Sequence, residues 1–520
     1  MTHPVQRLLH DSLLAAAADP VRMAKTAVIV EGVSHTYEDL LGDSLRLAGA
    51  LRARGVRRGD RVAIYMDNTW PCVVSIFGSL IAGGAFLIVN PQTKAEKLAF
   101  MLDDSGACVL LTDAHLAKEF EPALAQLKEA PRTICSGSDH PDAAESFAAV
   151  LAENATLPER IATIPLDLAA LIYTSGSTGN PKGVMHTHQS MVFAVASIAE
   201  YLRLDASDRI LCALPLAFDY GLYQLLMSVH LGATLVLERS FTFPAQVFSR
   251  MRETNVTVFP GVPTIFAMLL AAHGREALNF PSVRRVTNTA AALPDDFGIR
   301  LREVFPNALI YKMYGLTECK RVSYLEPELV DTKPGSVGKA IPGTEVYLLA
   351  ADGSEVPRGE TGTLYVRGPH VMIGYWNRPD LSAQMLKPGR LPGERVLCTH
   401  DLFRMDEDGF LYFVGRTDDI IKTRGEKVSP VEVENVIHSV PGIREVAVVG
   451  VPDDVLGQAI RAYVVLAPGV SMTERQIRAQ CVARLENFMV PRDIVVCEDL
   501  PRTATGKVSK KKLLENAADV

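Results

Sequence analysis

Residues 168–188 read LAALIYTSGSTGNPKGVMHTH. Leu168 to Tyr173 is an apolar run of strand length. From Tyr173 to Gly183 the chain is dominated by Gly, Ser and Thr, with Lys182 as the one charge. Glycine permits unusual φ and close backbone approach. Successive N–H groups and hydroxyls of such a loop can surround phosphate oxygens, and Lys182 adds positive charge. The pattern is not the common P-loop GxxxxGK[ST], because Lys182 is followed by Gly183 and Val184. An apolar strand feeding directly into the loop argues against a flexible linker.

Outward from this loop, short apolar runs alternate with helical patterns. Val62–Tyr65, Phe86–Val89 and Val109–Leu111 read as buried strands, and Leu40–Arg54 and Lys94–Ser105 as helices. The alternation predicts α/β layers with largely parallel sheets. Residues 345–415 predict a small β-rich subdomain, with the runs VYLLA, GTLYVRG and FLYFVG between Gly, Pro and Asp turns. The last hundred residues return to mixed strand and helix, with VAVVGVPD and RAYVVL as strands. A domain boundary falls near Gly415–Asp419, and Ser136–Ala144 reads as a surface loop. Cys72–Val89 is uncharged, but Gly83-Gly84 splits it into a helix-like and a strand-like half. That argues for a buried helix, turn and strand rather than a membrane span.

Composition narrows the class. The chain has 520 residues, too many for one ordinary domain. It is 48% hydrophobic and 22% charged, a globular balance. A net charge of −7 offers no basic excess for nucleic acid or an anionic membrane. The eight cysteines are scattered without a CxxC pair, which excludes a zinc ribbon or disulfide scaffold and suits a reducing, cytoplasmic compartment. Met1–Pro20 lacks the basic segment of a signal peptide.

The segment YTSGSTGNPKGVMHTH resembles the signature loop of the adenylate-forming superfamily: acyl- and aryl-CoA synthetases, amino-acid adenylation domains and luciferases. Further matching segments occur in the family's order: TAVIVEGVSHTYEDL, LIVNPQTKAEKLAFMLDDSGACVLLTD, MYGLTE, GPHVMIGYWNRP, the run from Asp401 to Pro430, and LPRTATGK. The resemblance covers nearly the whole chain. It implies a large N-terminal domain over residues 1–417, built of two α/β layers plus the β-rich subdomain. A smaller, mobile α+β lid over 418–520 would carry the catalytic lysine. It also implies ATP-dependent activation of a carboxylic acid as an acyl-adenylate, with pyrophosphate released and a thiol then displacing AMP. Such chemistry rests on positioning and electrostatic stabilisation.

The resemblance assigns residues in turn. Thr174, Ser175, Gly176, Ser177, Thr178, Gly179 and Lys182 would hold the ATP phosphates. Tyr314 and Gly315 would meet adenine, Thr317 would contact phosphate, and Glu318 would hold Mg²⁺ through a hard oxygen. Asn288–Pro294 stands where the family has a glycine-rich adenine-binding turn, with Thr289 and Ala290 in place of both glycines and Ala291 and Ala292 beside adenine. Asp401 would bind the ribose hydroxyls and Arg416 the phosphates. Asp418 would be the hinge, Lys507 would bridge the carboxylate and the α-phosphate, and Gly425 would shape a pantetheine tunnel.

The acid pocket departs from the acyl-CoA synthetase pattern. Phe218 takes the place of a gating histidine, and Asp219 follows it. In amino-acid adenylation domains a Phe-Asp pair at this point places the carboxylate against a substrate ammonium. A buried carboxylate needs a cation or a proton. That cation is either an amino group of the substrate or a basic residue of the chain. Arg321 either pairs with Asp219 or binds a second anionic group of the substrate, and Lys320 is open to a solvated reading. Tyr220, Tyr223, Val262 and Val322 are further pocket-lining candidates. The acceptor is either CoA or the phosphopantetheine arm of a separate carrier protein, since both offer the same thiol.

Overall fold

The computed structural model describes residues 6–153, 161–174, 181–289, 295–417, 419–423, 426–453, 456–485, 487–503 and 507–517. Two compact units emerge: residues 1–334 with 338–345 and 366–397, and residues 335–337 with 346–365 and 398–520.

The first unit contains two large sheets. One has eight strands in the order Gly374–Tyr375, Lys182–Thr187, Leu168–Thr174, Ala85–Val89, Arg61–Tyr65, Ala107–Asp113, Arg132–Ser136 and Glu145–Ser146. From Leu168–Thr174 to Glu145–Ser146 the pairing is parallel. The other has nine strands in the order Lys339–Ala340, Ser323–Leu325, Leu309–Tyr314, Arg285–Asn288, Val258–Gly261, Arg209–Cys212, Thr234–Leu237, Thr26–Val30 and Val33–Thr36. Its centre is parallel and its edges are antiparallel. The α/β alternation read from the sequence is therefore the architecture.

The uncharged stretch resolves as expected from its glycines. Trp70–Ile81 is a helix whose residues from Cys72 onward are all buried. Gly83 turns the chain at φ +82°, a conformation that suits glycine. All five residues of the strand Ala85–Val89 are buried. A helix apolar on every side must be packed on every side, and this one lies within the main hydrophobic cluster. Among the described residues no helix is long and apolar enough to cross a membrane.

The β-rich run becomes a five-stranded sheet ordered Glu345–Leu349, Thr361–Arg367, Arg395–Met405 and Leu386–Pro388, with Leu411–Arg416 pairing antiparallel to Arg395–Met405. The C-terminal sheet of the second unit is built on the antiparallel pair Ile443–Asp453 and Gly457–Leu466. Its period of two divides the side chains between two cores. Val448, Ile460 and Val464 pack toward the helices Pro430–His438 and Glu474–Val482 through Val433, Ile437 and Ile477. Ala447, Val449, Val451 and Val465 pack with Leu500 and Leu513. Both helices start where the sequence caps them. Ser429 accepts from the Glu432 N–H with Pro430 in the first turn, and Thr473 forms a capping box with Gln476.

Candidate active site

The strand that opens the glycine-rich segment is one arm of a hairpin. Leu168–Thr174 pairs antiparallel with Lys182–Thr187, and Thr174 lies opposite Lys182. Lys182 is thus held at the base of the loop. The short strand Gly374–Tyr375 lies along the hairpin's outer edge, with Tyr375 opposite Val184. The Trp376 N–H donates to the Gly183 carbonyl at 2.8 Å. This register brings the Tyr375 ring beneath Lys182, whose Nζ is 5.6 Å from the ring centroid. The Tyr375 hydroxyl donates to Glu318 Oε1 at 2.6 Å, a short charge-assisted bond.

Glu318 is fixed through its backbone as well. The Met372 N–H donates to the Glu318 carbonyl at 2.7 Å. His186 Nε2, 2.8 Å from the Thr317 carbonyl, holds the preceding residue. Burial pushes His186 down to about 4, so its ring is neutral near pH 7. Lys182, Thr317 and Glu318 therefore belong to one constellation, with Tyr375 joining the loop hairpin to the carboxylate. The segment GPHVMIGYWNRP marked this region in the sequence, but nothing in it singled out Tyr375.

The turn after the strand Leu309–Tyr314 builds the second half of the site. Gly315 sits where a Cβ would meet the Lys320 carbonyl at 2.4 Å and the Arg321 Cα at 2.9 Å. Its lack of a side chain lets residues 320–321 fold back against the strand. Lys320 closes the turn at φ +61°, and the Val322 N–H donates to the Tyr314 carbonyl at 2.9 Å. The fold-back carries two basic side chains inward. Lys320 is 3% and Arg321 2% exposed.

The solvated reading of Lys320 is therefore corrected. Its ammonium lies 3.3 Å from Asp219 Oδ2. It also stands 4.5 Å from the Tyr223 ring centroid and 5.6 Å from that of Tyr220. Burial pushes this lysine down to about 7, against the attraction of Asp219 and with added repulsion from Arg321. The Arg321 guanidinium donates to Thr289 Oγ1 and lies 5.7 Å from the Tyr220 ring centroid. The Tyr220 hydroxyl is anchored at the Thr287 carbonyl, 2.8 Å away. The residue beside the arginine singled out in the sequence thus brings a cation to Asp219. The signal was present in the paired basic residues, but only the turn geometry distinguishes them.

Asp219 opens the helix Asp219–Leu231, with Phe218 at its N-cap. The Asp219 side chain is 25% exposed. Tyr223 and Val322 are buried, and Val262 is half-buried at the N-cap of the helix Pro263–His273.

In the second unit, Asp401 and Arg416 face each other across the antiparallel pair of strands. Arg416 Nη1 is 3.8 Å from Asp401 Oδ1, and Asp401 is buried. Lys507 is exposed, and its carbonyl accepts from the Thr503 N–H at 2.7 Å. Lys510 pairs with Glu434 at 2.9 Å. Ser175, Gly176, Ser177, Thr178, Gly179, Ala291, Ala292, Asp418 and Gly425 lie outside the described residues.

The sequence pattern of the AMP-binding enzyme family matches residues 15–376, and that of the AMP-binding enzyme C-terminal domain matches residues 432–507. The chain belongs to this adenylate-forming family. It is an ATP-dependent, AMP-forming acid–thiol ligase. Feruloyl-CoA synthase of Amycolatopsis sp is 34% identical over 94% of this chain and 96% of its own length. Tyrocidine synthase 3 of Brevibacillus parabrevis is 33% identical over 94% of this chain, which spans only 7% of that relative. The ATP-bound crystal structure of MatB from Rhodopseudomonas palustris superposes with a TM-score of 0.89 at 28% identity, covering 99% of both chains.

Proposed function

We propose that the chain activates a carboxylic acid that carries no ammonium group and transfers it to CoA. The carrying observation is the resident cation at Asp219. Lys320 already pairs with that carboxylate, and while it is protonated a second cation brought to Asp219 meets repulsion from the first. Reading CoA as the acceptor draws support from the relative named a CoA synthase, which matches the chain over nearly its whole length.

In this reading the hairpin loop, from Thr174 and its neighbours to Lys182, cradles the ATP phosphates. Tyr314 stacks on adenine, Asp401 binds the ribose and Arg416 lies by the phosphates. Glu318 suits Mg²⁺, because it is a hard carboxylate whose orientation Tyr375 fixes. Lys507, within a C-terminal lid over residues 418–520, places its ammonium where charge builds between the carboxylate and the α-phosphate. Asp418 is its hinge, and Gly425 lines the thiol tunnel.

The test is ATP–pyrophosphate exchange with acids matched except for an amino group, followed by AMP release with CoA or a phosphopantetheinylated carrier protein. Exchange with the deamino member and CoA-dependent AMP release are expected. Exchange confined to the amino-bearing member overturns the reading of the acid, and AMP release only with the carrier protein overturns that of the acceptor.

A further inference from the structure

Two neighbouring charges in the first unit differ in access. The Asp219 side chain is 25% exposed while that of Lys320 is 3% exposed. An incoming acid therefore meets the carboxylate, and the ammonium stands behind it, walled by the rings of Tyr220 and Tyr223. Of the other described groups near the pair, His186 is buried and neutral near pH 7, and Arg321 donates to Thr289 and lies over the Tyr220 face.

A carboxylate backed by its own cation changes what it recognises. A bare carboxylate attracts an ammonium by charge. A neutralised one retains lone pairs and still accepts a hydrogen bond from an uncharged donor, but its pull on a cation is offset by the lysine behind it.

We propose that Lys320 is the specificity-determining residue of the acid pocket: by neutralising Asp219 from behind, it makes that carboxylate an acceptor for a neutral donor, a hydroxyl on the acid, and bars acids bearing an ammonium at the same place. The proposal rests on the ligase reading above and assigns Lys320 a positioning role, exerted through Asp219. It follows that the preference is carried by one charge. Removing that charge while keeping side-chain length opens the pocket to ammonium-bearing acids.

The experiment measures binding, so it does not depend on finding the natural acid. Propionyl, lactyl and alanyl sulfamates of adenosine mimic the acyl-adenylate and share one nucleoside. Their Kd values are measured by calorimetry at pH 6, where Lys320 is in its charged form, with the full-length wild type, with K320M and with the double variant D219N/K320M. The wild type is expected to bind the lactyl mimic best and the alanyl mimic worst. In K320M the alanyl-to-propionyl affinity ratio rises by about tenfold or more, the scale of a close charge–charge coupling. The double variant, in which no unpaired charge remains, loses that gain and reports on the proposal if K320M alone fails to fold: there the alanyl and propionyl affinities converge and the lactyl advantage falls. If all three mimics bind the folded wild type but their ratios are the same in every folded variant, the proposal is overturned. If no mimic binds the wild type, the reading of the acid pocket given above fails, and the proposal with it.

Discussion

Tyr375 shows how one side chain ties the Lys182 hairpin to a carboxylate. Its ring underlies Lys182 and its hydroxyl holds Glu318. Removing only the hydroxyl, in Tyr375→Phe, leaves the ring beneath the lysine and deprives Glu318 of its donor. A hydrogen bond to a charged group contributes about 1.5–3 kcal/mol. The expected result is a drop of about tenfold or more in kcat/KM for ATP, with a higher Mg²⁺ requirement and little change in thermal midpoint. A Mg²⁺ titration of pyrophosphate exchange checks it. An unchanged Mg²⁺ dependence would count against Glu318 as a Mg²⁺ ligand oriented by Tyr375. At this scale the sequence was partly legible. Lys182, Thr317 and Glu318 stand in segments whose pattern marks them, whereas Tyr375 is one aromatic among several and acquires its role only from strand register.

At the scale of elements, the turn from Tyr314 to Val322 decides which basic residue meets Asp219. The turn depends on Gly315, because a methyl group there overlaps the Lys320 carbonyl. Gly315→Ala is expected to destabilise the protein by about 1–3 kcal/mol, the usual cost of overpacking. It should also raise KM for the acid by displacing Lys320. Urea unfolding monitored by tryptophan fluorescence, together with exchange kinetics, measures both. A wild-type urea midpoint in the alanine variant would contradict the close approach. The strands and helices that frame the turn were readable from apolar runs and caps. The turn was not, since its course depends on a contact between residues 315 and 320 that no local propensity encodes.

Over the whole molecule, buried histidines make acid the destabilising direction. Burial holds His186 and His370 at about 4 and His188 at about 3, below the ordinary histidine value. Between pH 4 and 6.5 the unfolded chain therefore binds more protons than the folded one, and stability falls as pH falls. Asp113, raised to about 6 by burial, and Glu238, also raised by burial, work in the opposite sense. His35 and His230, lowered by burial, add to the other histidines, and together they outnumber the raised carboxylates. The urea midpoint is expected to be lower at pH 5 than at pH 7, and a midpoint that rises on acidification would refute the balance. Lys320 acts on the alkaline side: held at about 7 in the fold, it favours the folded state increasingly as pH climbs from 7 toward the ordinary lysine range.

The sequence alone determined the α/β layering and, through its ordered segments, the family. Those features are written in local periodicity, in glycine and proline punctuation, and in runs of consecutive residues. The tertiary structure alone decided which charges meet. Asp219 and Lys320 are about a hundred positions apart in the chain, and Tyr375 and Glu318 lie in separate segments. Whether Lys320 is solvated or set against a carboxylate depends on a fold-back that Gly315 permits and that buried packing stabilises. Burial sets the energy of a charge and proximity sets its partner, and neither is a property of sequence until the chain has folded.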